Sequence, residues 1–290
     1  MMKHCLAISI NGGGALGIGP LAFMCRLESD VGKKLSDISV AFAGTSTGAI
    51  IAGGLDEGYS AHELYDMYRE NLPKIFTKYS WYKRLQPSCP TYDNSYLKKL
   101  LAEKFKGKVS DWKKPIYIPT TFTNGESVEK VWDLGDTTVE KSFAILTSTA
   151  APTYFDVIVE NGRSYADGGF WANSPIAVLN AGLKRSEYRD RIRILAFNTG
   201  METPNTLKGN QSLLGWATYL KDEWIARAGK SNEYEVIADI GEENVAVASP
   251  KNDHKIAMDR TDSATLDKIV DIWNAYYDAN REYFIKFAKG

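Results

Sequence analysis

The stretch that most constrains this chain runs over residues 38–55. An apolar run, Ile38-Ser39-Val40-Ala41-Phe42-Ala43, leads into Gly44-Thr45-Ser46-Thr47-Gly48 and then into Ala49-Ile50-Ile51-Ala52-Gly53-Gly54-Leu55. The first run reads as a buried strand, the last as a helix whose small residues let it lie close to a sheet. Joining the two in so few residues demands a tight turn that only small neighbours tolerate. A G-x-S-x-G turn of this kind lifts its serine hydroxyl above the end of the sheet. Ser46 is therefore a candidate nucleophile, with Gly44 and Gly48 supporting its turn. An ordinary turn rich in small residues is the competing reading.

A similar unit precedes it. Cys5-Leu6-Ala7-Ile8-Ser9-Ile10 is strand-like, Asn11-Gly12-Gly13-Gly14-Ala15-Leu16-Gly17 is a glycine loop, and residues 18–27 follow a helical pattern. Backbone N–H groups of such a loop, at a helix N-terminus, can hold an anion. Gly12, Gly14 and Gly17 also match G-x-G-x-x-G. A dinucleotide site would need an acidic residue at the tip of the next strand, ~20 positions on. Asp30 and Asp37 both come before that strand, which ends in Gly44 without a carboxylate, so the dinucleotide reading is set aside.

Ser60-Ala61-His62-Glu63 reads as a capping box opening another helix, with His62 solvated in its first turn. Over residues 72–94 the pattern loosens around Pro73, Pro87 and Pro90, and Phe76, Tyr79, Trp81 and Tyr82 interleave with Lys74, Lys78, Lys83 and Arg84. Such a mixture suits a lipid headgroup layer, though aromatics packed on the domain explain it equally simply. Lys98, Lys99, Lys104, Lys106, Lys108, Lys113 and Lys114 read as a solvated face and linker. Two hairpins are expected, around Asn124-Gly125-Glu126 and around Asn161-Gly162. Helices are expected at 139–150 and 175–183, a strand at 192–197, and a long helix with a Trp-Tyr face within 263–287. Strands alternating with helices predict an α/β fold, a three-layer α/β/α sandwich with a mainly parallel central sheet. No linker, repeat or low-complexity tract divides the sequence. One domain over 1–290 is expected, with the motif-bearing core at about 5–200 and a helical C-terminal part at about 201–290.

Composition narrows the function classes. Net charge is −1, so no global field favours nucleic acid as a partner. Cys5, Cys25 and Cys89 are an odd, scattered set, which argues against a disulfide framework or a zinc site. The apolar start is too short for a signal-peptide core, and no stretch approaches the ~18 apolar residues of a spanning helix. A cytoplasmic protein without metal or cofactor is the expectation, touching membranes at most peripherally.

Farther along stands Asp167-Gly168-Gly169-Phe170-Trp171-Ala172-Asn173-Ser174-Pro175. An acyl-transfer site needs a base for its serine and donors for the oxyanion that forms. Asp167 can supply the first and the Gly12-Gly13-Gly14 backbone the second. In this order and setting, the three motifs resemble the patatin-like phospholipase family, with its glycine loop, G-x-S-x-G and D-G-G-x-x-x-N-x-P signatures. The resemblance implies a serine lipid acyl hydrolase acting on phospholipid or other acyl-ester lipids without a metal. Ser46 would be the nucleophile, Asp167 the base and Gly12, Gly13 and Gly14 the oxyanion hole, while Gly168 and Gly169 support the turn. Asn173 and Pro175 would shape the wall. Leu16 stands where most members carry Lys or Arg, and Asn11 where many carry Asp. Two rivals stay open: an α/β-hydrolase esterase with a Ser46-Asp167-His254 triad, and a non-catalytic or partner-activated lipid-binding protein. His254 lies in a polar stretch that reads as a surface loop.

Overall fold

A computed structural model describes residues 4–86, 89–124, 128–200, 212, 215–216 and 225–290. Among these residues one eight-stranded sheet forms from β1 (Cys5–Ile10), β2 (Ser39–Gly44), β3 (Ile116–Phe122), β4 (Glu129–Trp132), β5 (Ile158–Glu160), β6 (Arg163–Asp167), β7 (Ile192–Phe197) and β8 (Val245–Ala248). Besides a single helical turn at Leu35–Ile38, the described α-helices are α1 (Ile18–Val31), α2 (Thr47–Glu57), α3 (Ala61–Ile75), α4 (Ser95–Lys104), α5 (Lys141–Ser148), α6 (Gly169–Ala172), α7 (Ile176–Leu183), α8 (Ile225–Ile240) and α9 (Ser263–Lys289). The sheet order is β5-β6-β3-β2-β1-β7-β8, with β4 paired to β3 off this path. Strands β3, β2, β1, β7 and β8 run parallel, whereas β4, β5 and β6 join antiparallel. The sheet is thus mixed: the two expected hairpin pairings, β3–β4 and β5–β6, are antiparallel, and so is β6 against β3. Gly125 and Glu126 lie outside the described residues.

The alternation of side chains along the central strands builds the three layers. Leu6, Ile8 and Ile10 of β1, Phe42 of β2, and Leu195 and Phe197 of β7 enter one core, packed under α1 to α5 and α9. Ala7, Ala41, Ala43, Ile194 and Ala196 face the other way and meet Ile176, Leu179 and Leu183 of α7. Alanines on that second face let α7 approach the sheet closely. In the larger core, Phe23 of α1 meets Phe197, Trp273, Tyr277 and Phe284 edge-on at 4.8 to 6.2 Å. This ties the Trp-Tyr face of α9 to the helix that follows the glycine loop. The expected capping box is present: Ser60 Oγ accepts from Glu63 N–H at 3.2 Å and Glu63 accepts from Ser60 N–H at 2.7 Å. The C-terminal segment, read as helical, also contributes β8, which completes the parallel edge beside β7. Four residues alternating Val and Ala carry too little pattern for sequence reading to detect.

Candidate active site

β2 ends at Gly44, and α2 starts at Thr47. Between them Ser46 adopts φ 56°, ψ −121°, a conformation that L residues rarely take and that the surroundings must hold in place. Space forces the two flanking glycines: a Cβ on Gly44 would overlap the Gly48 carbonyl, and one on Gly48 would overlap that of Ile10. Ser46 N–H donates to Ser148 Oγ at 3.0 Å, and Ser148 Oγ donates to Pro119 O at 2.6 Å. Thr45 Oγ1 donates to Ala172 O at 2.6 Å, linking the turn to α6. On the far side, Tyr68 of α3 donates its hydroxyl to Thr47 O at 2.8 Å. Four elements therefore pin one strained residue.

Asp167 is the last residue of β6, in register with Thr120 of β3. Its N–H donates to Ala150 O at 3.0 Å, and its carbonyl accepts from Thr121 Oγ1 at 2.7 Å. Its carboxylate accepts the Gly169 N–H at 2.7 Å and lies beside the Ser46 side chain, which lowers its pKa. Ser46 is 7% exposed and Asp167 6%. Burial pushes the Asp167 carboxyl up from 3.8 to about 6, against the lowering effect of Ser46 and Gly169. An ionised carboxylate of that basicity accepts a proton far more readily than an exposed aspartate.

The glycine loop sits beside this pair. A Cβ on Gly12 would lie 3.2 Å from Ser46 Cβ and 2.5 Å from Asn173 Oδ1. Gly12 N–H is already committed to Asn173 O at 3.0 Å, and Gly12 O accepts from Thr199 Oγ1. Gly12 thus approaches the pair closely while its N–H is spent on Asn173. Among the described residues, neither Gly13 N–H nor Gly14 N–H meets an acceptor. Gly14 has φ +56°, and a Cβ there would lie 2.5 Å from Met258 O and 3.3 Å from Phe76. Met258 O accepts the Ala15 N–H at 2.7 Å, so the segment before α9 braces the loop.

From Ser46 and Gly14 an apolar cleft of about 630 Å³, open solvent included, extends between α2, α3 and α4. Its walls include Ile50, Tyr68, Leu72, Ile75, Phe76, Leu97, Leu100, Leu101, Phe105, Phe155 and Met258. Its polar surface is scant beyond Ser46, Thr47, Asn71, Thr149 and Lys104, the last a lysine that sequence reading left in solvent. Sequence reasoning identified none of these walls. The usable signal was the apolar stripe Leu64, Tyr68, Leu72 and Ile75 along α3, spaced to line one helix face.

The remaining expected residues are placed as follows. Gly168 and Gly169 form the turn from β6 into α6, and a Cβ on Gly168 would overlap Pro119. Leu16 is buried in the main core and contributes no charge to the cleft. All three histidines, His4, His62 and His254, are exposed, and the side-chain partner of Asp167 is Ser46. In the aromatic-basic segment, Phe76 and Tyr79 are half-buried, while Trp81, Tyr82, Lys83 and Arg84 are exposed. Phe76 belongs to the cleft wall, edge-on to Tyr92 at 5.2 Å. Asp30 is held by Arg281 and Tyr277, so it serves no ribose.

Fold and site together define an α/β protein in which an elbow serine meets a buried carboxylate under a glycine loop. The chain belongs to the patatin-like phospholipase family, whose sequence model matches residues 8–180. It is similar to a cGAMP-activated phospholipase of Vibrio cholerae serotype O1, 31% identical over 194 residues, covering 58% of this chain and 54% of that protein. It is similar also to patatin-like protein 2 of Arabidopsis thaliana, 31% identical over 261 residues, covering 72% of this chain and 63% of that protein. The chain thus spans about half to two thirds of the length of these relatives. Among solved structures, VipD from Legionella pneumophila aligns with a TM-score of 0.46 at 12% identity, over 96% of this chain and 67% of that one.

Proposed function

We propose that the protein is a serine lipid acyl hydrolase that cleaves acyl esters of glycerophospholipids through a Ser46–Asp167 dyad. The observation that carries this reading is the Ser46 side chain set beside a buried carboxylate at the mouth of an apolar cleft. An acyl chain lies in the cleft with its ester carbonyl over Ser46. Ser46 Oγ attacks the carbonyl carbon while its proton passes to the Asp167 carboxylate. The Gly13 and Gly14 N–H groups receive the oxyanion, which replaces the three-glycine hole expected from the sequence because Gly12 N–H is engaged. Collapse expels the lysolipid alkoxide, which takes the proton from Asp167 and leaves an acyl-serine. Water then attacks the acyl-serine, again giving its proton to Asp167, and Ser46 leaves with that proton as the fatty acid departs. The imidazole of a triad has no place in this scheme, since His254 is exposed.

The test is hydrolysis of a phospholipid panel by the wild type and by Ser46→Ala, with released fatty acids read by mass spectrometry, alongside labelling by a fluorophosphonate. Fatty-acid release and a Ser46 adduct in the wild type, both absent in the variant, support the reading. A folded wild type with no adduct would favour a binding protein. The panel is run with and without cGAMP, the activator in the name of the Vibrio relative. Stimulation would make the chain a nucleotide-controlled hydrolase.

A further inference from the structure

Beyond α3 the molecule carries apolar side chains that neither core nor cleft takes up. Trp81 is 71% exposed, Tyr82 60% and Leu85 73%, three large groups within five residues. The base beneath them is tied down. Tyr79 N–H donates to Thr91 O at 3.2 Å, Asp93 N–H donates to Thr77 O at 3.0 Å, and Tyr79 Oη donates to Asp156 at 2.9 Å. Lys78 bridges Tyr92 across the same two legs, so a fixed base presents the tip.

Charge on this segment is one-sided. Residues 75–92 contain Lys78, Lys83 and Arg84 and no acidic residue, in a chain of net charge −1, while Lys74 just before them is paired with Glu70 at 2.9 Å. Lys83 and Arg84 lie in the same single turn as Leu85. Lys83 Nζ sits 4.9 Å from the Tyr79 ring, its cation held beside the aromatics. Amphipathic aromatic rings seat at the headgroup boundary of a bilayer, and clustered cations are drawn to anionic lipid. The segment is also continuous with the cleft, because it begins at Phe76, one of the cleft walls.

We propose that Trp81, Tyr82 and Leu85, flanked by Lys83 and Arg84, dock the protein on an anionic lipid surface and set the mouth of the Ser46 cleft against it. Phe76 and Tyr79, which the sequence groups with them, form the base of this device and not its contact face. The inference rests on the phospholipid reading of Ser46, and binding is measured separately from turnover.

The experiment is co-sedimentation with vesicles of phosphatidylcholine alone and of phosphatidylcholine mixed with phosphatidylserine, in a Ser46→Ala background so that lipid is not consumed. Trp81→Ala with Leu85→Ala lowers partitioning onto both vesicle types by about tenfold or more. Lys83→Ala with Arg84→Ala lowers binding to the serine-containing vesicles by roughly fivefold for each charge and leaves phosphatidylcholine binding unchanged. With Ser46 restored, both double variants keep the wild-type melting temperature and soluble short-chain ester hydrolysis. Wild-type partitioning that is absent, or equal in all variants, would overturn the proposal. So would a parallel loss of ester hydrolysis and thermal stability, which marks a packing role, or a dimer lost in the apolar variant without any lipid binding, which assigns the tip to a second copy. Vesicle binding by a wild type that releases no fatty acid would keep the docking surface and sink the substrate reading.

Discussion

Replacing Asp167 by asparagine separates the two consequences of burying a carboxylate beside the proposed nucleophile. Asparagine keeps the shape and still accepts the Gly169 N–H, but it carries no charge and cannot take the Ser46 proton. The Asp167 pKa rises from 3.8 to about 6, and at ~1.36 kcal/mol per pKa unit this is about 3 kcal/mol. Because the folded-state value lies above the unfolded one, ionisation works against the fold. The penalty is absent below pH ~4, grows as pH rises through 4 to 6, and is complete above that. Asp167→Asn therefore stabilises the protein at pH 8 by up to about 3 kcal/mol, a rise in Tm of roughly 5 °C for a chain of this size. At pH 4.5 the gap closes to about a third of that. Hydrolysis of a soluble ester falls by about 10²- to 10⁴-fold in the same variant, and the wild-type kcat/KM climbs through pH ~6 to a plateau. Thermal melts at both pH values and a pH–rate profile provide the check. A Tm gap that is the same at pH 4.5 and pH 8, or a variant keeping more than a tenth of wild-type activity, would refute the argument.

Three other substitutions probe neighbouring parts of the site and core. His254→Ala changes soluble-ester kcat/KM by less than about twofold, because an exposed side chain away from the dyad has little to lose; abolished turnover in a folded variant would revive the triad. Leu100→Trp narrows the cleft and lowers kcat/KM for long-chain esters by at least about tenfold, while short-chain esters react as before; a uniform loss across chain lengths would remove the cleft from substrate binding. Trp273→Ala leaves a void among Gly19, Phe23 and Tyr276 and destabilises by ~3–5 kcal/mol in denaturant unfolding, with kcat of the folded protein unchanged.

Local chemistry made much of this protein readable. The turn at Ser46 is visible because a strand, a strained serine and a helix in close succession leave room only for hydrogen at Gly44 and Gly48. The capping box at Ser60 and Glu63, the β7 strand and the Trp-Tyr face of α9 were legible for the same reason: each is written in residues within a turn or two of one another. Short-range rules failed where neighbours in space are distant in sequence. β8, with only Val245, Ala246, Val247 and Ala248, is a strand because β7 offers it an edge. Tyr79 looks like Tyr82 in sequence, yet its hydroxyl reaches Asp156 and draws it inward.

By itself, then, the sequence determined the α/β class and singled out Ser46 and Asp167 as the candidate nucleophile and base, since glycine spacing and hydrophobic alternation are properties of the chain's own backbone. The tertiary structure decided which groups are free to act. Gly12 gives its N–H to Asn173, 161 positions away, while the Gly13 and Gly14 N–H groups meet no acceptor among the described residues. α3 and α4 close an apolar cleft over Ser46, and burial from several elements raises the basicity of Asp167. Hydrogen-bond competition, enclosed volume and desolvation arise only when separate segments are packed together, so no local pattern carries them.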